Sequence, residues 1–204
     1  CVGVRAGRWG SQQGLVGVGV REGIGDMEKG WLDLIKRRRT VRKFTADGVS
    51  DEQVQLVLEA AVSAPTRFDL QPWHFVVLCD KALQQRLADT LRVHPYLETA
   101  PVLIAIWGEP ARSATWLMDC SAAIENLLLA ATALGLGAAW AGGPEANFWA
   151  QAEDLLRHQI GAPPEVRLVS LVALGVPAQV PEPHGKERWD RRRIHRSRWG
   201  AMWE

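Results

Sequence analysis

Four short stretches of this chain carry residues that can do chemistry together. The first is Arg37-Arg38-Arg39-Thr40, followed by Arg42, Lys43 and Phe44. Guanidinium groups are planar, paired donors, and a hydroxyl adds a neutral one, so Arg-Arg-Thr-x-Arg can hold an anionic phosphate. Cations at the end of a helix also meet its dipole favourably, and on its own the run fits a solvated helix end as well. The second stretch, SAPTRFDLQPWHF from Ser63 to Phe75, lies between a helix-like run and the apolar VVLC. Turn-rich loops in that position are where small-molecule sites are built, although Pro72 and Trp73 could simply end a helix and start a strand. The third is GLGAAWAGG, Gly135 to Gly143. Glycines after a helix serve as caps, but the pair Gly142-Gly143 also lets backbone approach a planar ring closely. The fourth is C-terminal: Lys186, Arg188, Arg191, Arg192, Arg193, Arg196 and Arg198, interleaved with Trp189 and Trp199. Such a mixture suits phosphate neutralisation and base stacking, but Glu187 and Asp190 interrupt it.

Other chemistries find little support. The histidines, His74, His94, His158, His184 and His195, have no metal-ligand spacing and no neighbouring nucleophile motif, so no metal site or hydrolytic triad is expected. Cys1, Cys79 and Cys120 are scattered, as reduced thiols of a cytoplasmic protein would be. The net charge of +1 argues against general nucleic-acid affinity, and no apolar run reaches the length of a membrane span. Apolar content of 47% and 204 residues allow one domain with a sizeable core.

The elements that must position these stretches alternate in type. EKGWLDLIKRR places Trp31, Leu34 and Ile35 on one helical face. Ser50 and Gln53 have capping-box spacing, and Val54, Val57, Leu58 and Ala61 follow with helical rhythm. HFVVLC reads as a strand, KALQQRLADTLR as an amphipathic helix, and APVLIAIW, apolar on both faces, as an interior strand. Residues 114–136 form a long helix, apolar almost all round, suited to a subunit interface as well as to the chain's own sheet. Within it Asp119, Glu125 and Asn126 are expected to satisfy helix ends or interface partners rather than to do acid–base work. GLGAAWAGG turns into a short strand, NFWAQAEDLLRHQI is a helix, and VRLVSLVALG is a core strand. The segment after Pro177 has no core of its own and should wrap over something else.

Residues 1–26 read differently, rich in Gly, Arg and Val without periodicity, and are expected to be a disordered or non-native extension before a start at Met27. GVGVREG, Gly17 to Gly23, imitates a dinucleotide loop, but the spacing and flanking pattern are wrong. Residues 27–204 are expected to form a single domain.

Taken together, the four stretches resemble the nitroreductase family of FMN-dependent oxidoreductases, over about Trp31 to Trp199. The family's R-R-S-x-R-x-F matches Arg38, Arg39, Thr40, Arg42 and Phe44, with Thr keeping the hydroxyl. Its A-P-S/T-x-x-N-x-Q-P-W resembles Ala64 to Trp73, with Asp69 where Asn is common and Arg67 where small residues are usual. The resemblance implies an α+β fold, a mixed central sheet flanked by helices, in an intertwined homodimer with FMN sites at the interface. It assigns Arg38, Arg39, Thr40 and Arg42 to the FMN phosphate and ribityl chain, and Pro65, Thr66, Arg67, Asp69 and Gln71 to the flavin wall. Gly142 and Gly143 would contact the ring edge, and Lys186 and Arg188 would close over the phosphate. It also implies a ping-pong reaction, with NAD(P)H as donor and a nitroaromatic, quinone or similar electron-poor acceptor. No catalytic side chain is then required, since the flavin carries the hydride. Trp107 and Trp140 could reach such a ring. Competing readings are a flavin-fragmenting or dehalogenating relative, a non-catalytic FMN-binding protein, and a basic-tailed nucleic-acid binder.

Overall fold

Two reciprocal hydrogen bonds set the start of helix α2, Asp51–Val62. The Ser50 hydroxyl accepts from Gln53 N at 3.2 Å, and the Gln53 side chain accepts from Ser50 N at 3.0 Å. The capping box read from the sequence is therefore formed. The computed structural model describes residues 30–144, 146 and 148–202. The expectations for residues 1–26, for the GVGVREG loop and for a start at Met27 lie outside the described residues. The chain divides between Asp33 and Leu34 into two units, the larger being Leu34–Glu204.

Residues 30–37 are helical (α1). After α2 come strand β1 (Trp73–Leu78), α3 (Lys81–Thr90), the short α4 (Tyr96–Thr99), β2 (Val102–Gly108) and α5 (Trp116–Ala133). Strand β3 (Gly137–Gly142), α6 (Trp149–Ile160) and β4 (Arg167–Gly175) complete the core. The sheet order is β1-β2-β4-β3, and all three strand pairs are antiparallel. The parallel component is a bridge between Thr40 and Ala138 of β3.

Period-two alternation along β2 separates two cores. Leu103, Ala105 and Trp107 join Leu87, Leu97, Trp149 and Leu156 on the side of α3, α4 and α6. Val102, Ile104 and Ile106 join Val57, Ala61, Ile124 and Leu127 on the side of α2 and α5. β2 and β4 are buried on both faces because each lies between two strands and two helical layers. This is the interior position that the unbroken apolar runs predict.

α5 buries Asp119, Cys120, Ala123, Ile124, Leu127, Leu128 and Ala131. Its other side, including Ser121, Ala122, Glu125 and Leu129, is half-buried, and Met118 is exposed. In α1, Leu34 is buried while Ile35 is exposed. No helix among the described residues is long and apolar enough to cross a membrane.

Candidate functional site

The segment leaving α1 is laid along the edge of β3. Besides the Thr40–Ala138 bridge, Val41 N donates to the Ala138 carbonyl at 2.9 Å. Val41 sits so low over the strand that a Cβ on Gly137 would lie 2.7 Å from its Cγ1, so the approach depends on glycine. The chain beyond β4 then returns over residues 36–45. Thr45 N donates to Val176 O and Ala178 N to Lys43 O, both at 2.9 Å, and His184 N donates to Lys36 O at 3.0 Å. Arg39 Nη1 donates to the Glu182 carbonyl. The coreless C-terminal segment is thus a strap, and what it wraps over is the arginine motif.

This strap joins the first and fourth stretches. Loss of water around the His184 ring, and then the charges of Arg188, Arg39 and Arg38, hold its pKa below the usual value, with Glu187 opposing. The charges of three arginines, from the motif and from the strap, thus act on one imidazole. Arg188 and Lys186 lie in an exposed 3₁₀ turn, Lys186–Arg188. Arg38 also pairs with Glu125 of α5, Nε to Oε1 at 3.3 Å. Arg42 turns elsewhere, its guanidinium carbon 5.6 Å from the centre of the Tyr96 ring. Arg191, Arg192 and Arg193 follow in a second exposed turn, where Arg192 and Arg193 pair with Asp190.

The loop before β1 is held in an uncommon backbone conformation. Phe68, Asp69 and Gln71 have φ of 50°, 56° and 47°, in the left-handed region. Side chains rarely accept this conformation, and a bulky residue such as Phe68 least of all. Several bonds fix it. Gln71 N donates to Thr66 Oγ1 at 3.2 Å, and Gln71 Nε2 to Asp69 Oδ1 at 2.8 Å. Arg67 N donates to Asp119 Oδ1 at 3.3 Å, and Arg112 Nε to Leu70 O at 2.5 Å. Asp119 is itself buried at the start of α5, accepting from Ser113 Oγ at 2.6 Å and from Thr115 Oγ1 at 3.1 Å. Pro65, Arg67 and Phe68 are exposed, and the Arg67 guanidinium carbon lies 5.1 Å from the centre of the Phe68 ring.

Gly142 and Gly143 lie at the end of β3. A Cβ on Gly142 would meet Trp140 Nε1 at 2.7 Å and Val169 O at 3.3 Å. Trp140 is 37% exposed there, whereas Trp107 is 1% exposed and belongs to the core on the α6 side. From Ala138, where Thr40 docks, to Gly142 is four residues of strand, a span of ~13 Å. A phosphate held by the arginines and a ring lying on the glycines would be joined over such a span. The cradle, with its basic donors at one end and side-chain-free backbone at the other, fits FMN.

The 65–71 loop meets the same end of the sheet, because Trp73 pairs with Gly108 beside the start of β4. It is on the opposite edge, however: β1 and β3 are separated by three strand spacings, ~14 Å.

The family model for the nitroreductase family matches residues 35–96 and 90–176. The chain belongs to the nitroreductase family. It is 34% identical over 175 residues to an Archaeoglobus fulgidus protein provisionally named NADH dehydrogenase/NAD(P)H nitroreductase, covering 82% of this chain and 98% of that one. A Bacteroides thetaiotaomicron structure with the same provisional name superposes with TM-score 0.76 at 35% identity, covering 82% of this chain and 97% of that one. A candidate nitroreductase of Desulfovibrio desulfuricans, solved in complex with FMN, gives TM-score 0.67 at 32% identity over 76% of this chain and 90% of its own.

In this nitroreductase, sequence reasoning missed three contributors. Asp119 and Glu125 were expected to satisfy helix ends or interface partners; they also anchor Arg67 and Arg38, residues 52 and 87 positions away. His184 carried no signal, since nothing in its spacing reveals that the strap returns to Lys36.

Proposed function

We propose that this nitroreductase-family chain is an FMN-dependent oxidoreductase. It draws electrons from NAD(P)H and reduces nitroaromatic, quinone or similar electron-poor acceptors, as a homodimer with an FMN site at each side of the interface. The observation that supports this reading is the fastening of the strap to Lys36, Arg39 and Lys43 beside the Thr40–Ala138 bridge, about one strand-length from Gly142-Gly143. The FMN-bound Desulfovibrio desulfuricans relative and the NAD(P)H in the name of the Archaeoglobus fulgidus relative support the cofactor and the donor.

FMN held there would supply the redox chemistry between the nicotinamide and the acceptor. The chain's own residues bind and orient. Arg38, Arg39, Lys186 and Arg188 hold the phosphate as charge-assisted donors, and Thr40 offers its hydroxyl to the ribityl chain. Arg42 lends positive potential from farther away. Gly142 and Gly143 admit the ring against bare backbone, whose N–H groups favour negative charge developing there. Pro65, Thr66 and Arg67 form a wall, and Asp69 and Gln71 offer polar groups to the ring edge. Donor and acceptor occupy the same place in turn, which gives ping-pong kinetics.

The placement of the walls supports the homodimer. Within one protomer the 65–71 loop and the glycine turn are on opposite sheet edges, so the loop that faces a given flavin comes from the partner subunit. The half-buried side of α5 and the exposed Ile35 supply apolar surface for that contact.

The test is direct. Purified protein should be yellow with flavin absorbance, bleach with NADH or NADPH, and recover colour with a nitroaromatic or quinone. Sedimentation should give twice the chain mass. A colourless protein that fails to take up added FMN would overturn the reading, and a yellow protein that no nicotinamide bleaches would reduce it to a flavin binder.

A further inference from the structure

We propose that His184 is an additional ligand of the FMN phosphate and takes up a proton when that phosphate binds, so that the chain holds its cofactor more tightly as the pH falls. This rests on the reading of the arginine cluster as the phosphate site.

The geometry comes first. His184 is fixed by its backbone N–H on Lys36 O at 3.0 Å, at the point where the strap meets the arginine motif. Glu182, two residues before it, holds the Arg39 guanidinium through its carbonyl. The turn just after it is closed by Gly185 N donating to Glu187 Oε1 at 3.0 Å, and it presents Arg188. His184 therefore lies at the junction of the strap with the arginine motif, two residues from the carbonyl that holds Arg39 and next to the turn that carries Arg188.

The electrostatics give that position a direction. Among the described residues the charged groups acting on His184 in the flavin-free chain are Arg188, Arg39 and Arg38, with Glu187 opposing them. Their balance disfavours a further positive charge, and the imidazole stays neutral near neutral pH. A phosphomonoester brings between one and two negative charges and three acceptor oxygens. Once it is seated, it offsets the guanidinium charges, and a protonated imidazole gains an acceptor for its N–H. Binding phosphate and binding a proton then favour each other. Full linkage of one proton changes affinity by about tenfold per pH unit.

The experiment is calorimetric titration of the flavin-stripped full chain with FMN and, separately, with riboflavin, which lacks the phosphate. It is run at pH 7.5 in two non-phosphate buffers of different ionisation enthalpy. Free FMN is already almost wholly dianionic there, since its second pKa is about 6, so its own proton release is small. Wild type should take up a substantial fraction of a proton per FMN and essentially none per riboflavin. His184→Gln should abolish the uptake and flatten the pH dependence of FMN affinity. His184→Lys, with a permanent charge, should bind tightly and without pH dependence. Equal uptake by wild type and His184→Gln, or equal uptake with FMN and riboflavin, overturns the proposal and leaves FMN binding intact. If riboflavin binds as tightly as FMN and Arg38→Ala changes nothing, the phosphate site itself is misassigned.

Discussion

Arg38 Nε lies 3.3 Å from Glu125 Oε1, joining the first arginine of the basic motif to the middle of α5. Arg38 is the more enclosed partner, its side chain 21% exposed against 47% for Glu125. The carboxylate fixes the guanidinium and offsets part of the positive charge of the motif. Because α5 packs against α2 and the sheet, the arginine motif is tied to the core.

That pairing sorts the basic residues. Arg38→Ala removes a charge-assisted donor worth about 1.5–3 kcal/mol, so FMN retention should fall at least tenfold. Arg193→Ala removes an exposed partner of Asp190 far along the strap and should change retention less than about twofold. Glu125→Gln should cost less than Arg38→Ala, since the donors remain but lose their orientation. Flavin dissociation followed by fluorescence reads all three. Equal losses for Arg38→Ala and Arg193→Ala would refute the division.

Gly142 gives a prediction about shape. A methyl there would lie 2.7 Å from Trp140 Nε1, so Gly142→Ala must displace the indole. At Gly143 the nearest atom to an added Cβ is Ala146 Cβ at 3.5 Å, an ordinary contact. Thermal unfolding of the flavin-free chain should therefore show destabilisation of about 1–3 kcal/mol for Gly142→Ala and little for Gly143→Ala. Both should weaken flavin binding, Gly143→Ala by putting a methyl where the ring would lie and Gly142→Ala by pushing the indole out of its place. Adding Trp140→Ala to Gly142→Ala should recover part of the lost stability, and strict additivity would argue against the contact.

Most of the secondary structure was legible because each element carried a local signal. The capping box at Ser50, the helical rhythm of Val54 to Ala61 and the unbroken apolar runs of β2 and β4 depend on near neighbours or on burial from both sides. The family was legible too, since the four motifs carry its residue types in the right order. Their arrangement was not. The ion pair Arg38–Glu125 and the bond from Arg67 N to Asp119 join distant residues through tertiary packing, which leaves no periodicity to read. The left-handed backbone at Phe68, Asp69 and Gln71 was equally hidden, because none is glycine. The separation of the 65–71 loop from the glycine turn depends on strand order, and neither strand announces its edge.

His94 predicts how the flavin-free protein responds to acid. Its burial, and then the nearby Arg42 charge, hold its pKa below the usual 6.5, and its Nδ1 lies 3.2 Å from the Tyr96 hydroxyl, within hydrogen-bond reach. The unfolded chain therefore binds a proton at His94 before the folded chain does. Stability is fully retained above about pH 6.5 and falls as the pH drops below it toward the folded pKa. His184, depressed by loss of water around its ring and then by its arginines, adds to the same loss. The urea midpoint should decline between pH 7.5 and 5.5, and His94→Gln should shallow the decline. An unchanged slope in that variant would remove His94 as a cause.

Asp69 bears on the flavin's redox behaviour. Its carboxylate accepts from Gln71 Nε2 at 2.8 Å and its backbone has φ of 56°, a conformation that Asn also adopts readily. Asp69→Asn should therefore preserve the loop, because the amide oxygen can still accept from Gln71. What changes is charge. An ionised carboxylate at the ring edge disfavours the anionic reduced flavin, and a neutral amide removes that repulsion. The midpoint potential of the bound flavin should rise in Asp69→Asn, with stability within about 0.5 kcal/mol of wild type. Potentiometric titration of the two proteins measures the shift. A potential that is unchanged or lower, in a variant of unchanged stability, would place Asp69 away from the ring and leave it as a fastening of the loop alone.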